Sequence, residues 1–290
     1  MRSRRMLSTV ALVASLALVT SGCGGDDDDT VGTQPGKTTF AAGSTMERLQ
    51  KAGKVKVGTK FDQPLFGLKG VSGDVEGFDV EIAKIIAAEL GIAESGIEFV
   101  ESISKNREDY IVNGTTDFIV ATYTINDTRK TKVAFAGPYY VAGQDIMVKK
   151  DNTTIKGKAD LAGKKVCSVT GSTPATRVKE EVPTAQLTLF GTYTECVEAM
   201  RNGQVEATTT DNVILLGLIE KDPEAFKLVN APFSVEPYGI GVKKEDTAFR
   251  TFINDLLEKI YADGRYKTAY DATLGKVQST MPTPPPVNRY

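Results

Sequence analysis

Apolar positions along the chain follow two alternating periods. Residues 55–59, 97–100 and 118–121 are short β-rich runs, whereas residues 78–90 space Val80, Ile82, Ala83, Ile85, Ile86 and Leu90 so that one side of a helix is buried. Gly91 ends that helix, and residues 107–112 form a second, shorter one. Strands separated by helices predict an α/β lobe built on a largely parallel sheet.

The pattern then restarts. Residues 165–169, 187–190 and 207–210 read as strands, with helices at 174–181, 195–201 and 213–219. Asn113-Gly114 and Asn202-Gly203 each follow a helix and lead into a strand. Asn-Gly is a common turn pair, but its equal placement in two βαβ units predicts two lobes of related design. Ligands of open α/β sheets sit beyond the carboxyl ends of the strands. Thr122, Tyr123 and Thr124 of one unit and Thr209, Thr210 and Asp211 of the other therefore mark the two edges of a cleft. Segments 140–144 and 231–238, with Gly143, Pro232 and Pro237, are the expected crossings, after which residues 239–243 and a long helix at 247–262 complete the first lobe.

The 290 residues, 41% hydrophobic and 25% charged, have an ordinary globular composition and enough length for two packing units. A formal net charge of −2 leaves no basic field to hold nucleic acid. The absence of histidine changes the picture more. It removes the usual general base and the commonest metal ligand, so neither an enzyme nor a cofactor or metal is expected.

At the start of the chain Arg2, Arg4 and Arg5 precede an apolar run from Met6 to Thr20 and then Ser21, Gly22 and Cys23. This is the pattern of an export signal, expected over residues 1–22. Residues 23–44, rich in Gly, Asp and Thr, read as a flexible tether. Residues 276–290, with four prolines after Met281, are expected to be disordered or extended. Export places Cys167 and Cys196 in an oxidising compartment, which favours a disulfide between them over two separate buried thiols.

Several charged and small residues gather at the strand-end edges. Arg129 follows the strand region ending at Thr124, and a guanidinium beside hydroxyls can grip a carboxylate bidentately. Thr170 to Pro174 is a small-residue loop entering a helix, whose free N–H groups form an anion site. Asp211 either caps the following helix or accepts bonds from an ammonium. Together these describe the backbone end of an amino acid. Lys60 directly follows residues 55–59, and Arg107 starts the helix after residues 97–100. Most such side chains are simply solvated, yet their shared strand-end face makes a second positive locus, matched to a second carboxylate.

Two resemblances sharpen this reading. Thr20-Ser21-Gly22-Cys23 resembles the lipobox of bacterial lipoproteins, which implies a lipid on Cys23 and attachment to the outer face of the cell membrane. Gly77-Phe78-Asp79-Val80-Glu81-Ile82, Thr124-Ile125-Asn126-Asp127-Thr128-Arg129 and Phe135-Ala136-Gly137-Pro138-Tyr139-Tyr140 resemble the signature of the family 3 extracellular solute-binding proteins of ABC transporters. The likeness runs from about Val55 to Leu274. Within that family, residues 58–64, 167–174 and 238–241 look most like the glutamate-binding lipoproteins of actinobacteria.

The resemblance implies a hinged, two-lobed α/β fold of the periplasmic-binding type II, with lobe 1 over residues 45–141 and 237–275 and lobe 2 over residues 142–236. It implies that Arg129, Ser172, Thr173 and Thr124 bind the ligand's α-carboxylate, and that Asp211 and the Thr122 carbonyl bind its ammonium. Lys60 and Arg107 approach the side-chain carboxylate, where Thr210 occupies a place that some glutamate binders fill with histidine. The expected partners are free glutamate or aspartate, then glutamine or asparagine, together with the permease subunits of an ABC importer; the receptor itself is expected to be a monomer.

Overall fold

The computed structural model describes residues 38–290. The expected export signal and Cys23 therefore lie outside the described residues. The end of the expected tether does not behave as a tether. Phe40 packs edge-on against Phe252 at 5.5 Å, and Ser44 caps the helix Thr45–Ala52 by accepting from the Glu47 amide at 3.1 Å. An aromatic side chain and a capping serine tie this segment to the folded body.

Two five-stranded sheets carry the chain. The first runs Ile97–Glu101, Val55–Thr59, Phe118–Ile119, Glu236–Lys243, Val133–Ala142. Its first three strands are parallel, while Glu236–Lys243 is antiparallel to both neighbours. The second runs Gln186–Phe190, Lys165–Val169, Ala207–Asp211, Gln144–Lys149, Phe226–Leu228; its first three strands are parallel, and Gln144–Lys149 is antiparallel to both neighbours. Each sheet thus holds one strand running against the other four, in line with the largely parallel sheet that alternating strands and helices predict. The reversed strands, Glu236–Lys243 and Gln144–Lys149, are each entered from the preceding strand with no helix between.

Only Gly143 separates Val133–Ala142 from Gln144–Lys149. Ala142 still pairs with Glu236 in the first sheet, and Gln144 pairs with Asp211 in the second. The expected crossing loop at 140–144 is therefore almost continuous strand. A Cβ at Gly143 would stand 3.0 Å from the Ser234 carbonyl oxygen, which is why the closest approach of the two crossings suits glycine.

The first core forms around Phe78 at the start of helix Phe78–Glu89. Its ring meets Phe66, Tyr140, Tyr266 and Tyr270 edge-on, the geometry aromatic quadrupoles prefer. In the second core, Cys167 and Cys196 form a disulfide with Cα atoms 5.6 Å apart, joining strand Lys165–Val169 to helix Tyr193–Arg201. Closing a loop of 29 residues stabilises the fold by about 3–4 kcal/mol on a chain-entropy account.

The last residues are extended rather than disordered. After the turn Leu274–Lys276, Met281 and Val287 pack against the first core. The Asn288 amide donates to the Gly137 carbonyl at 2.8 Å, and Arg289 pairs with Asp255 and Glu258. Among the described residues no helix is long and apolar enough to cross a membrane.

Candidate functional site

The carboxyl ends of the parallel strands of both sheets converge on one cleft. On the first lobe, Asp79 accepts from the Thr122 amide at 2.8 Å and from the Tyr139 hydroxyl at 2.5 Å. Burial nevertheless pushes this carboxyl up to about 7. The clamp holds Thr122 at φ 44°, a left-handed conformation that a β-branched residue rarely adopts. The Thr122 hydroxyl lies 2.9 Å from Gln63 Oε1, and its carbonyl is 3.5 Å from an Arg107 terminal nitrogen.

Arg107 is fixed by protein carbonyls. Its Nε donates to Ser104 O at 3.3 Å and one terminal nitrogen to Ala121 O at 3.0 Å. Its guanidinium also lies over the Tyr123 ring at 4.2 Å. Lys60 donates to Ser104 Oγ at 3.0 Å, and burial, aided by Arg107, brings its ammonium down to about 7. Both side chains are only 2% exposed. Among the described residues, neither forms an ion pair with a carboxylate. Buried charge without a directly paired counter-charge is costly, and Asp62 and Glu101 act on Lys60 only through space, without an ion pair.

On the second lobe, Asp211 stands where it could cap helix Asn212–Glu220, but its side chain makes no capping bond. Its Oδ2 instead accepts from the Tyr238 hydroxyl at 2.5 Å, while Oδ1 is buried without a partner. Burial and the nearby Glu236 push the carboxyl up to about 7. The Ser172 amide is already spent on Val169 O at 3.2 Å, and the Ser172 hydroxyl caps helix Thr173–Glu181. Of the two amides expected to bind anions, only that of Thr173 is unspent among the described residues. Thr173 Oγ1 donates to the buried Glu236, which also pairs with Arg177 at 2.7 Å.

These groups line a narrow inner cavity of about 10 Å³, formed by Arg107, Thr122, Thr124, Thr173, Thr210 and Asp211, with Gln63, Ser104, Ser172 and Tyr193 beside them. Three buried polar atoms of this lining have no partner among the described residues: Gln63 Nε2, Thr210 Oγ1 and Asp211 Oδ1. Such atoms are rare and each needs an explanation. Arg129 stands at the outer mouth with Glu108, Asn126 and Arg177. Its two terminal nitrogens donate to Thr124 O at 2.6 Å and Gly171 O at 3.1 Å, and Nε pairs with Glu108 at 3.3 Å. Burial and Arg107 lower it to about 10.

The sequence-predicted residues thus gather in one cleft, but not on equal terms. Lys60 reaches the inner cavity only through Ser104. Gln63, Ser104, Tyr193 and Glu236 escape the sequence reading. Position is the one signal that could find the first two, because each lies just beyond a strand on the edge that also carries Lys60 or Arg107.

The two lobes touch directly across the cleft. The Tyr193 amide donates to Asp62 Oδ2 at 2.8 Å, and Arg129 bonds Gly171 O. A Cβ at Gly217, within the second-lobe helix, would stand 2.4 Å from Pro64 O of the first lobe. Two lobes that meet around a cavity with unpaired polar atoms have the arrangement of a small-solute binding protein.

Residues 55–276 match the model of the bacterial extracellular solute-binding proteins, family 3, and the chain belongs to that family. Among curated relatives, it is 41% identical over 234 residues to the glutamate-binding protein GluB of Corynebacterium efficiens, covering 77% of this chain and 80% of that one. It is 39% identical over 266 residues to the ABC transporter glutamine-binding protein GlnH of Bacillus subtilis, covering 91% and 94%. Among solved structures, an ancestral arginine-binding protein bound to glutamine superposes with a TM-score of 0.73 at 37% identity, over 77% of this chain and 98% of that one.

Gly217→Ala tests whether closure depends on this contact. The methyl group overpacks the interface by about 1–3 kcal/mol, which lowers affinity by about fivefold or more. The melting temperature should hold, since each lobe is undisturbed, while small-angle scattering should show the variant open at solute concentrations that close the wild type. Unchanged affinity and compaction would show that the lobes do not meet here in solution.

Proposed function

We propose that this protein captures an acidic amino acid, glutamate first and aspartate next, by lobe closure and delivers it to the permease of an ABC importer. The observation that carries the reading is the buried pair Lys60 and Arg107, neither of which forms an ion pair with a carboxylate among the described residues. A ligand's distal carboxylate supplies the missing counter-charge. Arg129, with one proton left on each terminal nitrogen, takes the α-carboxylate together with the Thr173 amide and the Thr124 hydroxyl; Ser172 contributes by shaping that helix start. The unpaired Asp211 Oδ1 and the Thr122 carbonyl take the ammonium, and Thr210 adds its unpaired hydroxyl to the side-chain end. Relatives named for glutamate and for glutamine support an amino-acid ligand and make the amide the rival.

Residues 1–22 then direct export, and Cys23 carries the lipid that holds a monomeric receptor at the outer face of the cell membrane. Intact-mass measurement of the membrane-associated protein should find a lipidated chain beginning at Cys23; an unmodified cysteine there removes the anchor from the proposal.

Calorimetric titration against the twenty amino acids should give the tightest binding for glutamate. Arg129→Ala should abolish binding of glutamate and glutamine alike. Lys60→Met should weaken glutamate by about tenfold or more, the scale of a lost charge-assisted bond, and glutamine far less. Equal losses for both ligands would contradict the side-chain assignment.

Affinity should also depend on pH with a definite sign. A bound distal carboxylate raises Lys60 from about 7, so the complex holds more protons and glutamate affinity falls as pH rises above 7. A bound ammonium lowers Asp211 from about 7, so affinity falls as pH drops below 7. Glutamate affinity therefore peaks near neutrality, whereas glutamine affinity rises to a plateau. Matching profiles for both ligands between about pH 5 and 9 would argue against a distal carboxylate beside Lys60.

A further inference from the structure

Helix Thr173–Glu181 offers the cleft a single free donor at its start. Pro174 has no amide hydrogen. The Ala175 amide is spent on Ser172 Oγ at 3.1 Å, and the Thr176 amide on the Ser172 carbonyl at 3.3 Å. That leaves the Thr173 amide among the described residues, so whatever fixes Thr173 fixes the aim of the helix start. The Thr173 side chain is tied to the second crossing strand. Its hydroxyl has one proton, and Glu236 Oε2 at 2.8 Å is a nearer and more negative acceptor than Thr124 Oγ1 at 3.5 Å. Glu236 is buried, and its other oxygen accepts from Arg177 at 2.7 Å and from Ser234 Oγ at 2.7 Å. The first crossing joins the same cluster. Gln144, next to Gly143, donates its amide to Ser234 Oγ at 2.9 Å and takes Arg177 Nε on its side-chain oxygen at 3.0 Å. Its side-chain nitrogen reaches the Pro174 carbonyl at 3.3 Å. Thr173, Pro174 and Arg177 are thus each bonded to one or both of the crossings.

We infer that Glu236 is a positioning residue for the ligand's α-carboxylate: it braces the Thr173 hydroxyl, and through it the one free amide of the helix start, against the crossings. This rests on the reading of the Thr173 amide as a contact of the α-carboxylate and deepens it by naming what aims that amide. A backbone donor has no rotamer of its own to adjust, and a hydrogen bond weakens steeply as its angle closes. Its residue must therefore be held from elsewhere. A carboxylate suits the task because charge-assisted bonds are shorter and stronger than neutral ones. Removing a carboxylate from water is costly unless it is paired, and Arg177 supplies the pairing. The same guanidinium keeps the Glu236 charge from standing bare beside an incoming anion. The Thr173 hydroxyl is then part of the brace and not a ligand contact. Every amino acid carries the α-carboxylate, so loss of the brace falls equally on all of them.

Titration of the full chain with glutamate and with glutamine tests the brace. Thr173→Val, which keeps the amide and removes the hydroxyl, should weaken both ligands by about tenfold, the scale of one charge-assisted bond. Thr173→Ser, which restores the hydroxyl, should recover most of that loss, so a lost brace is separated from a fault in folding. Glu236→Ala should weaken both ligands at least as much as Thr173→Val and hold the glutamate-to-glutamine ratio within about threefold of the wild type. Combined with Thr173→Val, it should bind no more than about threefold worse than the weaker single variant, since both act through one contact. Losses that multiply in the double variant, or a Glu236→Ala variant that binds as well as the wild type, overturn the brace. They leave the α-carboxylate reading intact provided that Arg129→Ala abolishes binding. Binding retained in Arg129→Ala overturns that reading itself and the brace with it.

Discussion

Lys60 and Arg107 are positive charges removed from water with no negative side chain in contact. A bonded hydroxyl, three carbonyls and the face of Tyr123 hold them in place, but dipoles of that kind offset only part of the cost of desolvation. The surrounding architecture maintains the arrangement. Parallel strands aim both residues at the cleft, and the second lobe covers them. Arg129 faces the same tyrosine ring at 5.0 Å, so three cations share one region. Their mutual repulsion contributes to the lowering of Lys60 and Arg129 and is relieved by whatever negative group enters.

The acidic side of the site is tied to the hinge. Tyr139 lies on one crossing strand and Tyr238 on the other, and each donates its hydroxyl to a buried carboxylate, Asp79 and Asp211 respectively. Glu236, at the start of the second crossing strand, holds Thr173 and Arg177 at the mouth. On the proposed reading, a ligand that engages Asp211 also acts on the crossing strand that carries Tyr238.

Much of this is legible in the sequence. Helix Phe78–Glu89 and the strands Val55–Thr59 and Lys165–Val169 stand out because their residues follow a clear period. Strand Val133–Ala142 does not, since only Val141 along it is exposed and Gly137-Pro138 interrupts its middle. Asp211 and Arg129 are readable as charges at strand ends. Ser104 and Gln63 are not, because uncharged residues in a single helical turn or a two-residue strand carry no periodic signal. Nor does sequence reveal which of two neighbouring polar groups stands nearer the cavity, so Lys60 reads as a contact residue where the structure places Ser104 in front of it. The proline-rich end misleads for a similar reason. Composition argues for disorder there, but Val287, Arg289 and Tyr290 find specific partners.

Those partners give the final segment a purpose. Val133–Ala142 forms the outer edge of the first sheet, and a bare edge offers a row of unpaired amides and carbonyls on which another chain can build. Here the Phe135 amide is taken by the Tyr290 hydroxyl at 2.8 Å and the Gly137 carbonyl by the Asn288 amide at 2.8 Å. Prolines just before them cannot extend a ladder. The carboxyl-terminal segment is thus an intramolecular border strip that occupies part of an edge on which another chain could otherwise build.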